Sequence, residues 1–347
     1  MKFLKILRFE FAYQISRAWP WLFFTVLLVL SFLMTRDGSL AEVLYSDFFL
    51  NSPFNIAKTT VFGSLIWLVM CAAVAGDAAA RDEATGMHAL IYTTSLSKAD
   101  YLGARFFAAF FLNAFLLLAV QAGILLGVYL PGVDAELIGP FRPAAFLTSY
   151  AFIALPNAFV ATAIQFALAT RSGRAMAGYF GSFVLVFMGF FVASLLLYKE
   201  GLGTLLDPIG IRFIVEDVAH MWTPIEKNDR LLQLEGIILT NRLLWFGIAL
   251  VVIALTYIGF RFKHRTAGNR WNVLRKFTRR SRTQSDPESR IPAIFIREKA
   301  HISVPRVKRT FGFAFHARQT IAIALSSFKM IAKSWAGIAM LAGIPLL

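Results

Sequence analysis

The chain has 347 residues, of which 58% are hydrophobic and only 16% charged, with a mean hydropathy of +0.64. Soluble domains run nearer ~45–50% apolar with about 25% charge, so this composition excludes an ordinary soluble enzyme and indicates an integral membrane protein. The net charge of +15 would suit a nucleic-acid binder, but residues 261–333 alone hold 18 Lys/Arg against three acids; a basic block of that kind fits anionic lipid headgroups and excludes nucleic acid as the partner.

In chain order, residues 1–18 predict an amphipathic helix. Lys2, Lys5 and Arg8 share one stripe, and Phe3, Leu4, Ile6, Leu7 and Phe11 supply apolar cover. Such a helix lies along a membrane surface. Six apolar segments then approach the ~20 residues that a spanning helix needs: Trp19–Met34, Thr59–Ala80, Arg105–Leu130, Ala144–Thr170, Ala175–Tyr198 and Leu243–Phe262. The first is short and is expected to extend backward along FEFAYQISRA, with Arg17 snorkelling to the interface. Its basic front resembles a cleavable signal, but no small-residue cleavage site follows Met34 and five more spans come after.

The fold class expected is therefore an all-α membrane protein, with a six-helix transmembrane bundle over residues 19–262. Residues 1–18 carry net +3, whereas the segments 35–58, 131–143 and 199–242 are net negative. Lys/Arg bias sets orientation, which places the amino terminus, the loop between the second and third spans, and the basic segment in the cytoplasm. For a bacterial chain the membrane is the inner membrane.

Residues 263–333 read as a basic cytoplasmic linker, with RKFTRRSRTQSDPESR rich in Arg and Ser and interrupted by Pro287. After it, RQTIAIALSSFKMIAKSWAGIAMLAGIPLL repeats the layout of KILRFEFAYQISRAWPWLFFTVLLVLSFLM. Both have a basic amphipathic lead, a basic residue and a Trp, then an apolar run. The reading is the start of a second repeat, with 334–347 a truncated seventh span.

The chemical inventory is sparse. The five histidines form no H-E-x-x-H pair, and the single cysteine, Cys71, makes no disulfide or zinc set. No phosphate-binding G-x-x-x-x-G-K-[ST] loop or G-x-S-x-G elbow is present. Neither catalytic residues nor a metal or cofactor are expected. Inside the spans Asp77 is the one expected charge, four residues before Arg81 and on the same face. Asn113, Gln121, Asn157 and Gln165 either hydrogen-bond between helices or line a cavity. Gly123 and Gly127 form a G-x-x-x-G, which marks close packing within the chain or across a dimer. The loop 199–242 contains LDPIG and WTPIEKN breaks. These suit re-entrant helices, or else a solvated turn at Glu226 and Lys227.

The most polar interruption is GDAAARDEATGMHALIYTTSLSKADYLGARF, residues 76–106. It reads as the end of one helix, a break, and a new helix capped by Ser97. The patch Ala89, Leu90, Ile91 and Tyr92 lies between the two. Charge together with exposed apolar side chains suits docking to a soluble partner.

The pattern R-D-x-x-T-G-x-x-x-L-x-x-T-T-x-L-S-K-x-x-Y-L resembles the coupling region of type-2 ABC transporter permeases. The segments MWTPIEKNDRLLQLEGIILTNRLLWFG and LPNAFVATAIQFALATRS resemble parts of long bacterial permeases that carry two six-span halves and a zinc aminopeptidase-like domain. The resemblance covers about residues 1–262; no complete second bundle or peptidase domain accompanies it. It implies an ABC ATPase subunit as partner, a second permease half or homodimer, and export as the direction of transport. It also implies that Arg81, Asp82, Glu83, Thr85, Gly86, Thr94, Leu96, Ser97 and Lys98 contact the ATPase. The rival expectation is a membrane anchor or scaffold for a downstream peptidase-like domain. A secondary carrier is disfavoured by the scarcity of buried charge.

Overall fold

The chain divides into two units, Met1–Phe262 and Lys263–Leu347. The computed structural model describes residues 2–192, 195, 201–217, 219–262, 319, 321, 322, 325 and 326. The linker over 263–333 and the span over 334–347 therefore lie almost wholly outside the described residues. Within the first unit every regular element is helical and no strand occurs among the described residues.

Five helices are long and apolar enough to cross a membrane, which makes this a multi-pass helical membrane protein. The first crossing runs over Ala18–Tyr45. It comprises α2 (Ala18–Leu33), a π-helical turn at Met34–Gly38 and α3 (Ser39–Ser46). The others are α4 (Pro53–Ala84), α6 (Lys98–Tyr129), the continuous α7 (Pro143–Ser149) and α8 (Leu155–Ser172), and α12 (Gly236–Gly259). The amphipathic α1 (Lys2–Ile15) precedes them, and α5 (His88–Ile91) sits between α4 and α6. Helix α9 (Ala177–Phe187) continues through a π-helical turn to Val192, and α10 (Leu202–Leu206) and α11 (Pro224–Asp229) lie between it and α12.

One expectation changes. Helix α1 does not run on into the first span: the chain breaks at Ser16 and Arg17, where Arg17 is extended. The Trp21 indole N–H donates to the Ile15 carbonyl at 2.9 Å, and the Arg17 guanidinium lies over the Tyr13 ring. The first span gains its length forward, through Tyr45, because Leu33 carries on into a wider helical turn rather than stopping. Of the expected span Ala175–Tyr198, helix is described over Ala177–Val192; beyond it all but Leu195 lies outside the described residues.

Local chemistry fixes the helix ends. Ser52 caps α4 by accepting from the Asn55 N–H, with Pro53 at the first helical position, where no N–H is needed. Gly173, at φ 68°, ends α8 in the left-handed conformation that glycine adopts without strain.

Helix α4 is the centre of the bundle, with α6, α8 and α9 packed on it. Backbones come close where side chains are small. A Cβ on Gly76 would lie 2.6 Å from the Ala175 carbonyl oxygen. The G-x-x-x-G of α6 packs on α2 of the same chain: a Cβ on Gly123 would lie 2.5 Å from the Leu28 carbonyl oxygen, and one on Gly127 2.8 Å from Thr35. The motif therefore serves internal packing, without need of a dimer. Replacing Gly123 by Ala should cost about 1–3 kcal/mol through overpacking, seen as a lower unfolding midpoint in detergent. Gly247→Ala, with nothing within 4 Å of the new Cβ, should cause no loss. Equal midpoints for the two variants would contradict this packing.

Candidate functional site

The polar interruption forms a compact cap where α4 and α6 end. Helix α4 runs to Ala84, and Gly86, at φ 74°, reverses the chain. The short α5 follows, and Ser97 accepts from the Asp100 N–H at 3.0 Å to start α6. The helix, break and capped helix read from the sequence are all present.

Beneath the cap lies a buried ion cluster. Glu10 of α1 is 2% exposed, Arg105 of α6 3% and Asp82 of α4 6%. The Arg105 guanidinium bridges Glu10 at 2.9 Å and Asp82 at 2.7 Å. It also donates to the Ala78 carbonyl at 3.2 Å and the Tyr101 hydroxyl at 3.1 Å. Tyr101 in turn donates to Asp82 at 2.9 Å. Arg81 of α4 joins the other Glu10 oxygen, reaches Asp77 at 3.2 Å, and lies over the Tyr13 ring of α1. Buried carboxylates and guanidiniums persist only when each is paired and hydrogen-bonded. Here Glu10 is met from α4 and α6, Arg105 from α1 and α4, and Asp82 by two residues of α6.

This corrects the expectation that Asp77 is the one charge in the spans. Arg105 was read as the edge of its span, and Glu10 fell within the expected backward extension FEFAYQISRA of the first span. In the structure both face inward. The sequence signal for Glu10 is its place on the stripe Phe3, Leu7, Glu10 and Gln14 at helical spacing, all of it at least half-buried. Which partner Glu10 takes was not legible.

The cap is also tied to the chain's two flanks. Lys2 of α1 donates to the Ser95 carbonyl at 2.6 Å. Lys98 donates to the Ile258 carbonyl at 3.3 Å, satisfying one of the last carbonyls of α12, and lies 4.6 Å from the Tyr257 ring. Tyr92 packs against Phe260 and Phe262 at centroid distances of 6.1 and 5.0 Å, and against Tyr101 at 6.0 Å. Burial, followed by the Glu83 charge, raises the Tyr92 hydroxyl above the usual phenol value, so it stays neutral.

The nine candidate contact residues separate into two groups. Arg81, Asp82 and Lys98 point into the protein or onto α12. Thr85, Gly86, Thr94 and Ser97 are exposed, and Glu83 and Leu96 are half-buried. The exposed surface also includes Met87, at 48%, and Leu90, at 65%. Hydroxyls at Thr85, Thr93 and Thr94 bond to carbonyls one turn back, stiffening the segment. The cap thus presents an apolar tip, rimmed by hydroxyls, on a fixed base.

The four polar span residues are all buried and bonded between elements. Asn113 donates to the Thr162 hydroxyl at 3.0 Å, and Gln121 to the Thr60 hydroxyl at 2.8 Å. Gln165 donates to the Leu68 carbonyl and the Ser182 hydroxyl, and Asn157 to the Ile209 carbonyl. In this conformation they hold helices together. Among the described residues no group of His, Cys, Asp and Glu is arranged to hold a metal ion. No known protein-family model matches the chain, and no curated protein matches it.

Removing one member of the cluster leaves its partners buried and uncompensated. Glu10→Ala should cost about 3–5 kcal/mol, while Lys5→Ala, at an exposed position of the same helix, should stay within about 0.5 kcal/mol. Denaturant midpoints of the purified protein measure both. Parity between the two variants would mean that Glu10 is not the anchor.

Proposed function

We propose that this chain is the membrane subunit of an ATP-driven transporter, and that the cap at residues 81–98 is where a separate ATPase docks. One observation carries this reading. The turn between α4 and α6 is a built platform whose exposed tip is apolar, at Met87 and Leu90. A loop facing only water gains nothing from such a tip, while a groove in a soluble partner would bury it at about 25 cal/mol per Å². The resemblance of the 81–102 pattern to type-2 ABC permeases supports the same assignment. So does the Lys/Arg bias, which puts α1 and the cap on the cytoplasmic side of an inner membrane.

In this reading the ATPase supplies the energy and the chain supplies the lever. Movement imposed on α5 reaches α4 and α6 directly. It reaches α1 through Glu10 and Lys2, and α12 through Tyr92 and Lys98. The central α4 packs on α6, α8 and α9, so a shift at its end is passed to all three. Export is the direction that the family resemblance implies, with a second six-helix unit completing the pathway.

A pull-down from mild detergent, with partners identified by mass spectrometry, tests this. A phosphate-loop ATPase should co-purify with the native protein. It should be lost with Leu90→Asp or Glu83→Arg, while both variants still insert into the membrane. Co-purification unchanged in both variants would overturn the assignment of the cap. Absence of any ATPase, with a soluble catalytic domain found in the same polypeptide, would favour the anchor reading.

A further inference from the structure

At the opposite end of the bundle, residues 201–214 fold into the protein instead of looping over it. Gly201, at φ 76°, turns the chain into α10. The Asp207 carboxylate then accepts from the Ile209 N–H at 2.9 Å and the Arg212 N–H at 2.8 Å, closing a turn over D-P-I-G. Thr204, Asp207, Ile209, Phe213 and Ile214 are buried.

Such a segment brings backbone carbonyls into an apolar interior, where each needs a donor. Two consecutive residues of α12 meet most of them. The Asn241 amide donates to the carbonyls of Thr204, Leu205 and Asp207 at 2.9, 3.0 and 2.8 Å. The Arg242 guanidinium donates to the Pro208 and Ile209 carbonyls at 3.4 and 3.3 Å, and to Asn157 Oδ1 of α8 at 3.0 Å. It also lies 4.8 Å from the Phe213 ring. Gly210, at φ 94°, completes the fit, since a Cβ there would collide with Arg242 Nη2.

The segment roofs a small void of about 10 Å³, walled by Ser64 and Leu68 of α4, Asn157 of α8, Leu185 of α9, and Pro208 and Ile209. That is room for about one water molecule. The two gripping residues also keep unpartnered polar atoms: Arg242 Nε and Asn241 Oδ1 are buried with no hydrogen bond. Unmet buried polar atoms are costly, and water arriving at them would offset the loss of the closed contacts. Three polar side chains, Asn157, Asn241 and Arg242, grip the backbone of the roof, while Ile209, Phe213 and Ile214 anchor it in the apolar core.

We propose that Asn241 and Arg242 form a latch that holds residues 204–210 as a lid over the polar seam between α4 and α8. Releasing the latch admits water to Ser64 from the α11 end. The proposal does not depend on the docking of an ATPase, because the lid and its seam lie within this chain and can be probed without ATP or a partner.

The test reads thiol accessibility in membrane vesicles, with a small, positively charged methanethiosulfonate as the probe. One series carries Ser64→Cys with Cys71→Ser; the other keeps the native Cys71. Cys71 lies seven residues farther along α4, roughly 10 Å deeper, is buried, and contacts Thr162. With the latch intact both thiols should be protected. With Arg242→Gln, or the milder Asn241→Leu, the cysteine at position 64 should react at least about tenfold faster while Cys71 stays protected. Unchanged protection of position 64 in both latch variants would overturn the proposal. So would equal acceleration at both thiols, which would make the pair a general support of the bundle rather than a latch.

Discussion

A charged carboxylate at 2% exposure is costly unless it is paired, and Glu10 has two cations, one from each of the bundle's longest helices. That requirement fixes much else. Arg81 and Arg105 must rise to the same level, which sets the stagger of α4 against α6. Helix α1 must lie across both, which is why it breaks from α2 at Ser16 rather than running on into the first span. Asp82 must turn inward to share Arg105, and so the chain leaves α4 only a residue or two later. The cap begins where the ion cluster ends.

The two ends of the bundle are held by different physics. At the α1 end, charges of opposite sign from three helices neutralise one another, and truncating any one strands the rest. At the other end, side-chain donors from α12 and α8 grip backbone carbonyls of the entering segment. Helix α12 takes part in both. Its Asn241 and Arg242 hold residues 204–209, and its last turn receives Lys98 while Phe260 and Phe262 pack on Tyr92. About 24 Å of helix, at ~1.5 Å per residue, separates Arg242 from Ile258. A rigid element touching the cap at one end and the buried segment at the other is a direct mechanical route between them.

Composition and hydropathy were enough to read a helical membrane protein, because hydrocarbon admits few alternatives. The cap's outline was legible too: Ser97 is a local capping signal, Gly86 a local turn signal, and both act over three or four residues. The pairings of Asn113, Gln121, Asn157 and Gln165 were anticipated as a class, though not by partner. What was not legible depends on sequence separations of dozens of residues. Arg105 looked like the flank of its span, and nothing local singled out Glu10 or Arg242. A charge at the rim of an apolar run is ambiguous by itself, since snorkelling and inward pairing leave the same local pattern.

If Glu10 binds α1, α4 and α6 into one block, these parts should open together. Native-state amide hydrogen exchange of the intact protein, resolved by mass spectrometry, measures this directly. The account predicts that residues 2–15, 77–84 and 98–105 exchange with a common opening free energy. It also predicts that Glu10→Gln releases α1 to exchange first. Fast exchange of α1 in the native protein, with the ends of α4 and α6 still protected, would contradict the account.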